Sequence, residues 1–195
     1  MTRAKILAVV FSVWVLAYPI VAFLTGFQLF HYLPTWVDDR IYLWPPAVYV
    51  YILYYPLFVA SFLLVKDMRV LKKGFMAFVY AELITCFCFL IYPVVVDRPS
   101  LVSVNDSSSW ILSKVWAIDT AVNSFPSQHV TFIWVCAFMV SMAYRSRKWV
   151  VGSAVLVAIL ISVSTVLVKQ HYVWDVIAGA IVAAVSCFFA FRKKG

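Results

Sequence analysis

Six apolar segments constrain the fold of this chain more than any other feature of its sequence. About 20 apolar residues are needed for an α-helix to cross the hydrocarbon core of a bilayer. The segments that meet this length are Ile6–Phe27, Pro45–Val65, Gly74–Val96, Ser127–Tyr144, Trp149–Val168 and His171–Phe191. We therefore predict an all-α integral membrane bundle of six transmembrane helices.

The composition argues against a soluble protein. Of the 195 residues, 65% are hydrophobic and 12% are charged, whereas soluble domains carry about 25% charged residues. The apolar stretch after Arg3 and Lys5 is too long for the core of a signal peptide, so we expect it to be the first span. Without linkers or clear repeats, residues 1–195 are interpreted as one membrane-embedded domain.

The basic residues predict the direction in which the helices cross. Cytoplasmic loops of membrane proteins are enriched in lysine and arginine. One set of span ends carries Arg3, Lys5, Lys66, Arg69, Lys72, Lys73, Arg145, Arg147, Lys148, Arg192, Lys193 and Lys194. The other set carries Arg40, Arg98, Lys114 and Lys169. We predict a multi-pass protein of the cell membrane with both termini in the cytoplasm, whose basic clusters contact membrane lipids and not nucleic acid.

Two histidines that open predicted spans are the first candidates for chemistry. Ionisable groups at such depth are costly and are usually functional. His171 is followed four residues later by Asp175, so both lie on one helix face. A carboxylate that accepts a hydrogen bond from the imidazole would fix its tautomer and raise the basicity of the other nitrogen. The alternative is a purely structural pair.

The second histidine, His129, lies in the first turn of the fourth span. Pro126 suits the first helical position, and the amides of Ser127, Gln128 and His129 then lack intrahelical partners. Such a helix start attracts an anion, and His129 is placed to protonate a leaving oxygen. Arg98, just past the third span, is suited to clamp a phosphate. The alternatives are an ordinary capped helix and a membrane-edge arginine.

Together these residues form three blocks: Arg98-Pro99, then Pro126-Ser127-x-His129, then Ser164-x6-His171-x3-Asp175. In type and order the blocks resemble the signatures of the type 2 phosphatidic acid phosphatase superfamily, which also includes acid phosphatases and vanadium haloperoxidases. The resemblance covers a catalytic half of about residues 92–180. It implies a metal-independent enzyme that requires no cofactor.

The resemblance also implies a role for each residue. His171 would be the nucleophile that forms a phosphohistidine, Asp175 would orient it, and His129 would protonate the leaving group. The phosphate oxygens would be held by Arg98, Ser127 and the amide of Gln128.

The chain departs from the family pattern at three positions. Ile91 stands where the family has a lysine, Thr165 replaces an arginine, and Gln128 replaces a glycine. Lys169 follows Thr165 by four residues, on the same helix face and nearer the outer surface. We therefore hypothesise that Lys169 supplies part of the missing positive charge.

These features predict a membrane lipid phosphate phosphatase with its site on the non-cytoplasmic side. Candidate substrates are phosphatidic acid, phosphatidylglycerophosphate, polyprenyl diphosphate and a sphingoid phosphate. The stretches Asp119–His129 and Ser164–Tyr172 look more like the branch related to inositol phosphorylceramide synthase, whose members transfer to an alcohol. A lipid phosphotransferase is therefore one alternative, and an inactive lipid-binding or transport protein is another.

Four other polar residues are given no role in catalysis. Glu82, deep in the third span, is expected to hydrogen-bond to a neighbouring helix. Asp38 and Asp39 are expected to form a solvated loop pair, and His31 lies in an aromatic interfacial loop without a nearby carboxylate.

Overall fold

The computed structural model describes residues 1–100 and 106–192. The regular structure in these two ranges is helical, apart from isolated β-bridges. The α-helices are α1 (Arg3–Thr25), α2 (Val48–Ile52), α3 (Tyr54–Leu64), α4 (Met68–Ile91), α5 (Ser107–Ile118), α6 (Gln128–Ala143), α7 (Lys148–Leu167) and α8 (Val173–Phe191).

Five helical stretches are long and apolar enough to cross a membrane. They are α1, the continuous stretch Pro45–Leu64 that contains α2 and α3, and the helices α4, α7 and α8. Helix α6 is also apolar but has 16 residues. The all-helical, membrane-embedded architecture is thus confirmed with five of the predicted spans. The sixth span and the cytoplasmic position of the termini stay predictions.

The third predicted span, Gly74–Val96, is wrong at both ends. Helix α4 begins earlier because the Asp67 side chain accepts backbone N–H bonds from its first turn. It ends before Pro93, which lacks an N–H and disfavours helical backbone in the preceding residue. The extended residues that follow form bridges with His31 and Val122. This segment carries the chain towards Arg98 at the end of the bundle.

One end of the bundle, here called the basic end, gathers the predicted basic clusters. Arg3 at the start of α1 donates to the carbonyl oxygen of Phe62 in α3, at 3.1 Å. Lys73 of α4 donates to the last carbonyl of α8, at 3.2 Å. The predicted cluster members Lys193 and Lys194 lie outside the described residues.

The opposite end, here called the site end, joins the ends of α1 and α7 to the starts of α6 and α8. The side chain of Asn123 donates to the Thr25 hydroxyl at 2.8 Å. The amide of Trp44 donates to the last carbonyl of α7 at 2.9 Å, and the amide of Ser127 donates to the carbonyl of Asp175 at 2.9 Å. These contacts bring together loops that are far apart in sequence.

Helix α6 packs at the centre of the bundle. On one side its Phe132 ring contacts Phe58 of α3 and Phe78 of α4, with centroids 5.8 and 4.9 Å away. On the other side it approaches α8 at Gly179, where a Cβ atom would lie 2.7 Å from the carbonyl oxygen of Ser127. The absence of a side chain at Gly179 therefore sets how closely the start of α6 can lie against α8.

Candidate active site

His171 lies in the short connection between α7 and α8. The amides of Gln170 and His171 both donate to the carbonyl of Thr165, at 2.9 and 3.2 Å, which ends α7. Lys169 has left-handed backbone with φ 53° and turns the chain back towards the bundle. His171 is consequently buried, 6% exposed, with Asp175 in the first turn of α8.

Two acceptors hold the His171 ring on its Nδ1 side. Nδ1 lies 3.0 Å from the carbonyl oxygen of Ser124 and 3.5 Å from Oδ2 of Asp175. A carbonyl oxygen only accepts, so Nδ1 carries the proton and Nε2 keeps its lone pair. Asp175 lies beside the ring, but its Oδ2 also accepts the Tyr172 amide at 2.8 Å, and the Ser124 carbonyl is the closer partner of the ring.

His129 faces His171 across the site. Its Nδ1 lies 3.5 Å from Nε2 of His171. On the other side of the ring, Nε2 is 2.8 Å from the Tyr51 hydroxyl, which donates to Oδ2 of Asp119 at 2.6 Å. Because the tyrosine proton goes to Asp119, Nε2 of His129 is the donor to Tyr51. The nitrogen of His129 that faces Nε2 of His171 is thus Nδ1, the nitrogen that is not bonded to Tyr51.

Arg98 packs against the C-terminal end of α5 and the residue that follows it. Its guanidinium donates to Oε1 of Gln170 at 2.7 Å and to the carbonyls of Asp119 and Trp116 at 2.9 and 3.3 Å. Its Nε is buried and has no partner among the described residues. Burial lowers the pKa of the Arg98 guanidinium, and the Asp119 carboxylate acts in the opposite direction. The cation is thus fixed beside the site through Gln170.

The start of α6 differs from its predicted form. Ser127 is the N-cap, fully buried, and its hydroxyl accepts the Val130 amide at 3.3 Å. Pro126 therefore precedes the cap and does not occupy the first helical position, and the Ser127 amide is bonded to α8. The Gln128 side chain donates to Glu82 at 2.9 Å, which confirms the predicted bond between Glu82 and a neighbouring helix.

The two positions where the family carries extra cations are uncharged in this chain. Ile91 is exposed at the end of α4, and the buried Thr165 hydroxyl donates to a carbonyl within α7 at 2.7 Å. Lys169 does not share a helix face with Thr165 as expected, because α7 ends at Leu167 and Lys169 has left-handed backbone. Its ammonium donates to the carbonyl of Asp38 at 3.0 Å. The expectation of a solvated pair is wrong for Asp38, which is buried and whose carboxylate accepts the Val173 amide at 3.0 Å. Asp39 is exposed.

Replacing Lys169 with methionine tests the hypothesis that its positive charge helps to bind the phosphate group of a substrate. We expect KM for a lipid phosphate to rise roughly fivefold with little change in kcat, the effect of losing about 1 kcal/mol from a partly screened ion contact. The measurement is steady-state kinetics at low ionic strength. Unchanged kinetics together with a lower thermal midpoint would leave Lys169 only its structural contact with Asp38.

A cavity of about 370 Å³ opens next to the two histidines, within the size range of small-molecule sites. Among the described residues that line it, none is lysine or arginine. Its largely apolar wall consists of Trp14, Val15, Tyr18, Pro19, Tyr54, Tyr55, Ile118 and Val122. Its polar wall consists of Asp119, Thr120, Asn123, Ser124, Gln128, His129, Gln170 and His171. The facing ring nitrogens thus adjoin a mostly apolar chamber.

Several residues at the site were not predicted from sequence. The Ser124 carbonyl leaves no side-chain signal, because any residue supplies a carbonyl oxygen. Tyr51 lies on the same helix face as Tyr54 and Tyr55 at spacings of three and four residues, but interfacial aromatic residues are common in membrane proteins. The sequence placed Asp119 in a stretch that resembles one branch of the family, but it indicated no role for this residue.

Comparison with curated proteins and with solved structures found no significant match. The family model described as the PAP2 superfamily matches residues 21–189, most of the chain. Members of this superfamily are generally phosphatases or related phosphoryl transferases. The match includes the three sequence blocks and the helices that bring them together. The chain belongs to the PAP2 superfamily, whose membership indicates an enzyme of phosphatase type.

Proposed function

We propose that this protein is a membrane lipid phosphate phosphatase that acts through a phosphohistidine on His171. The observation that carries the proposal is the pair of ring nitrogens, Nε2 of His171 and Nδ1 of His129, that face each other at 3.5 Å beside an apolar cavity. A buried imidazole with a fixed tautomer and a directed lone pair suits a nucleophile. A second imidazole opposite it suits an acid and base.

In the first step, Nε2 of His171 bonds to phosphorus while the bond from phosphorus to the lipid oxygen breaks. The leaving oxygen takes a proton from Nδ1 of His129. In the second step, water attacks the phosphohistidine, His129 accepts a proton from that water, and the nitrogen–phosphorus bond breaks. Asp175 and the Ser124 carbonyl keep the His171 ring oriented and offset its developing positive charge.

We assign the binding of the phosphate oxygens to four groups, which are Arg98, Ser127, the amide of Gln128 and Lys169. Arg98 has a buried Nε–H without a partner among the described residues. The start of α6, capped by Ser127, favours an anion through its dipole and through the amide of Gln128. Lys169 adds a positive charge next to Gln170 and His171 in the chain.

The walls of the cavity favour a lipid over a soluble phosphate. Trp14, Val15 and Pro19 belong to the α1 span, so the cavity extends from the histidines to the level of the hydrocarbon. Phosphatidic acid, phosphatidylglycerophosphate, polyprenyl diphosphate and a sphingoid phosphate all combine an anionic group with long apolar chains. The concentration of lysine and arginine at the basic end supports a site on the non-cytoplasmic side of the cell membrane.

The test is turnover of ³²P-labelled phosphatidic acid by purified protein in mixed micelles. We expect free phosphate as the labelled product, and the other three lipid classes then rank substrate preference. Folded protein that releases phosphate from none of the four lipids would contradict the proposal and favour a lipid-binding or transport role.

The cavity also favours a second candidate, transfer of the phosphoryl group to an alcohol. The walls of the cavity at Tyr54, Tyr55 and Trp14 offer an apolar surface beside the histidines against which an alcohol acceptor can pack. The same labelled substrate is incubated with ceramide or inositol, whose phosphate esters differ from phosphatidic acid. Label in a phosphate ester of the added alcohol, in place of free phosphate, would support the transferase.

A further inference from the structure

We propose that Tyr51 and Asp119 are positioning residues that direct the transferable proton of His129 towards the leaving group. This inference rests on the proposed function and names two residues outside the three family blocks. Tyr51 comes from α2 and Asp119 caps the end of α5. Neither residue is implied by the roles that the resemblance assigns.

The three side chains form a short, partly buried chain of hydrogen bonds. The Tyr51 hydroxyl donates to Oδ2 of Asp119 at 2.6 Å and lies 2.8 Å from Nε2 of His129. Oδ2 of Asp119 is itself 3.5 Å from Nε2 of His129. Tyr51 is 0% exposed, and the side chains of His129 and Asp119 are 13% and 14% exposed. Such contacts are stronger in a site that excludes water.

The direction of these bonds determines which nitrogen transfers a proton. A tyrosine has one hydroxyl proton, and that proton is committed to Asp119, so the Tyr51 oxygen accepts Nε2–H of His129. Nδ1 is then the nitrogen that gives its proton to the leaving oxygen, and it is the nitrogen that faces His171. After this transfer the neutral ring keeps Nε2–H, which leaves the Nδ1 lone pair ready to accept a proton from water.

Among the described residues, the carboxylate close to the His129 ring is that of Asp119. The titratable groups that face the ring are Tyr51, Tyr54, Tyr55, Asp119 and His171, while Glu82 of α4 is bonded to the adjacent Gln128. Asp119 therefore supplies the negative charge that balances the imidazolium form of His129.

The backbone of Asp119 is held by contacts that do not involve its carboxylate. Its backbone carbonyl accepts from Arg98 at 2.9 Å and from Nε2 of Gln170 at 3.2 Å. Its backbone amide is bonded to α5 at 2.8 Å. Asp119→Asn is therefore expected to remove the charge while leaving the chain in place.

The experiment compares Asp119→Asn and Tyr51→Phe with two matched controls. Asp39→Asn removes an exposed carboxylate, and Tyr49→Phe removes an exposed tyrosine hydroxyl from the same helix as Tyr51, where it contacts Ser107. Each protein is assayed with phosphatidic acid, whose alkoxide needs a proton to leave. Each is also assayed with p-nitrophenyl phosphate, whose phenolate leaves without one.

We expect kcat for phosphatidic acid to fall about 100-fold in both site variants, the lower range for loss of general acid catalysis. Turnover of p-nitrophenyl phosphate should change less than about threefold, and neither control should change. In Asp119→Asn the fall of the rate at high pH should move to lower pH by about one unit, because the imidazolium loses its neighbouring carboxylate. Asp119→Glu, which keeps the charge, should recover more of the rate than Asp119→Asn.

Two results would overturn this inference. One is equal loss on both substrates with no movement of the pH profile, which indicates a structural role. The other is an unchanged rate on phosphatidic acid in both site variants. If p-nitrophenyl phosphate is a poor substrate of the wild type, the pH profile and the Asp119→Glu variant distinguish a positioning role from a structural role. Wild-type protein that releases no phosphate from any lipid is a failure of the proposed function instead, so the two failures are distinguishable.

Discussion

We expect phosphate release from phosphatidic acid to fall by about 10⁴-fold or more when His171 is replaced with alanine. The substitution removes the atom that bonds to phosphorus, and loss of a nucleophile typically costs this much or more. The measurement is ³²P release at saturating lipid. A parallel acid quench of the wild type should trap label on the protein, and that label should be absent from His171→Ala.

His31→Ala is the matched control for this experiment. His31 is exposed, its ring stacks on Tyr92 with centroids 4.1 Å apart, and it is not among the described residues that line the cavity. Its loss should leave the rate and the trapped label unchanged. A His171→Ala protein that still turns over at the wild-type rate would contradict the phosphohistidine mechanism.

Much of the helical architecture was predictable because a bilayer imposes a length and a polarity on each span. The errors occur where local chemistry overrides hydropathy. Pro93 ends α4 before the apolar run is over, and Asp67 starts it before the apolar run begins. At α6, a bond between the Ser127 amide and α8 moves the helix start beyond Pro126. Hydropathy does not report such backbone contacts.

The candidate site was predictable in part for a similar reason. Alternating crossings placed Arg98, His129 and His171 at one end of the bundle, and the structure brings the two histidines to 3.5 Å. Their partners were not predictable. The Ser124 carbonyl belongs to the backbone, and Tyr51 lies in a helix outside the three blocks. Such contacts depend on how the helices pack, which the spacing of residues within one helix does not determine.

The packing of the helices also determines where positive charge lies around the cavity. The described lining of the cavity contains no lysine or arginine, and Arg98 reaches it through Gln170. Because Ile91 and Thr165 are uncharged, the proposed function assigns a larger share of phosphate binding to the start of α6. We therefore expect activity to depend strongly on the position of that helix start relative to His171.

Gly179→Ala tests this dependence and should lower kcat about 100-fold. The new Cβ would lie 2.7 Å from the Ser127 carbonyl oxygen and 3.2 Å from Cβ of Val130, so the start of α6 must move away from α8. His129 lies on that first turn, and its separation from His171 would change with it. A displacement of about 1 Å at reacting groups costs about 10²-fold in rate. The measurement is kcat for phosphatidic acid, with thermal unfolding in detergent recorded in parallel.

Gly152→Ala makes the same chemical change where it meets no obstacle. Gly152 lies exposed on α7, and a Cβ there has no atom within 4 Å, so kcat should stay at the wild-type value. Because alanine favours helix over glycine, this control should be as stable as the wild type or slightly more stable. Full activity in Gly179→Ala would show that α6 can shift without disturbing the facing nitrogens. Equal losses in both variants would show a general sensitivity of the helices to added methyl groups, because a Cβ at Gly179 meets α6 whereas a Cβ at Gly152 meets no atom within 4 Å.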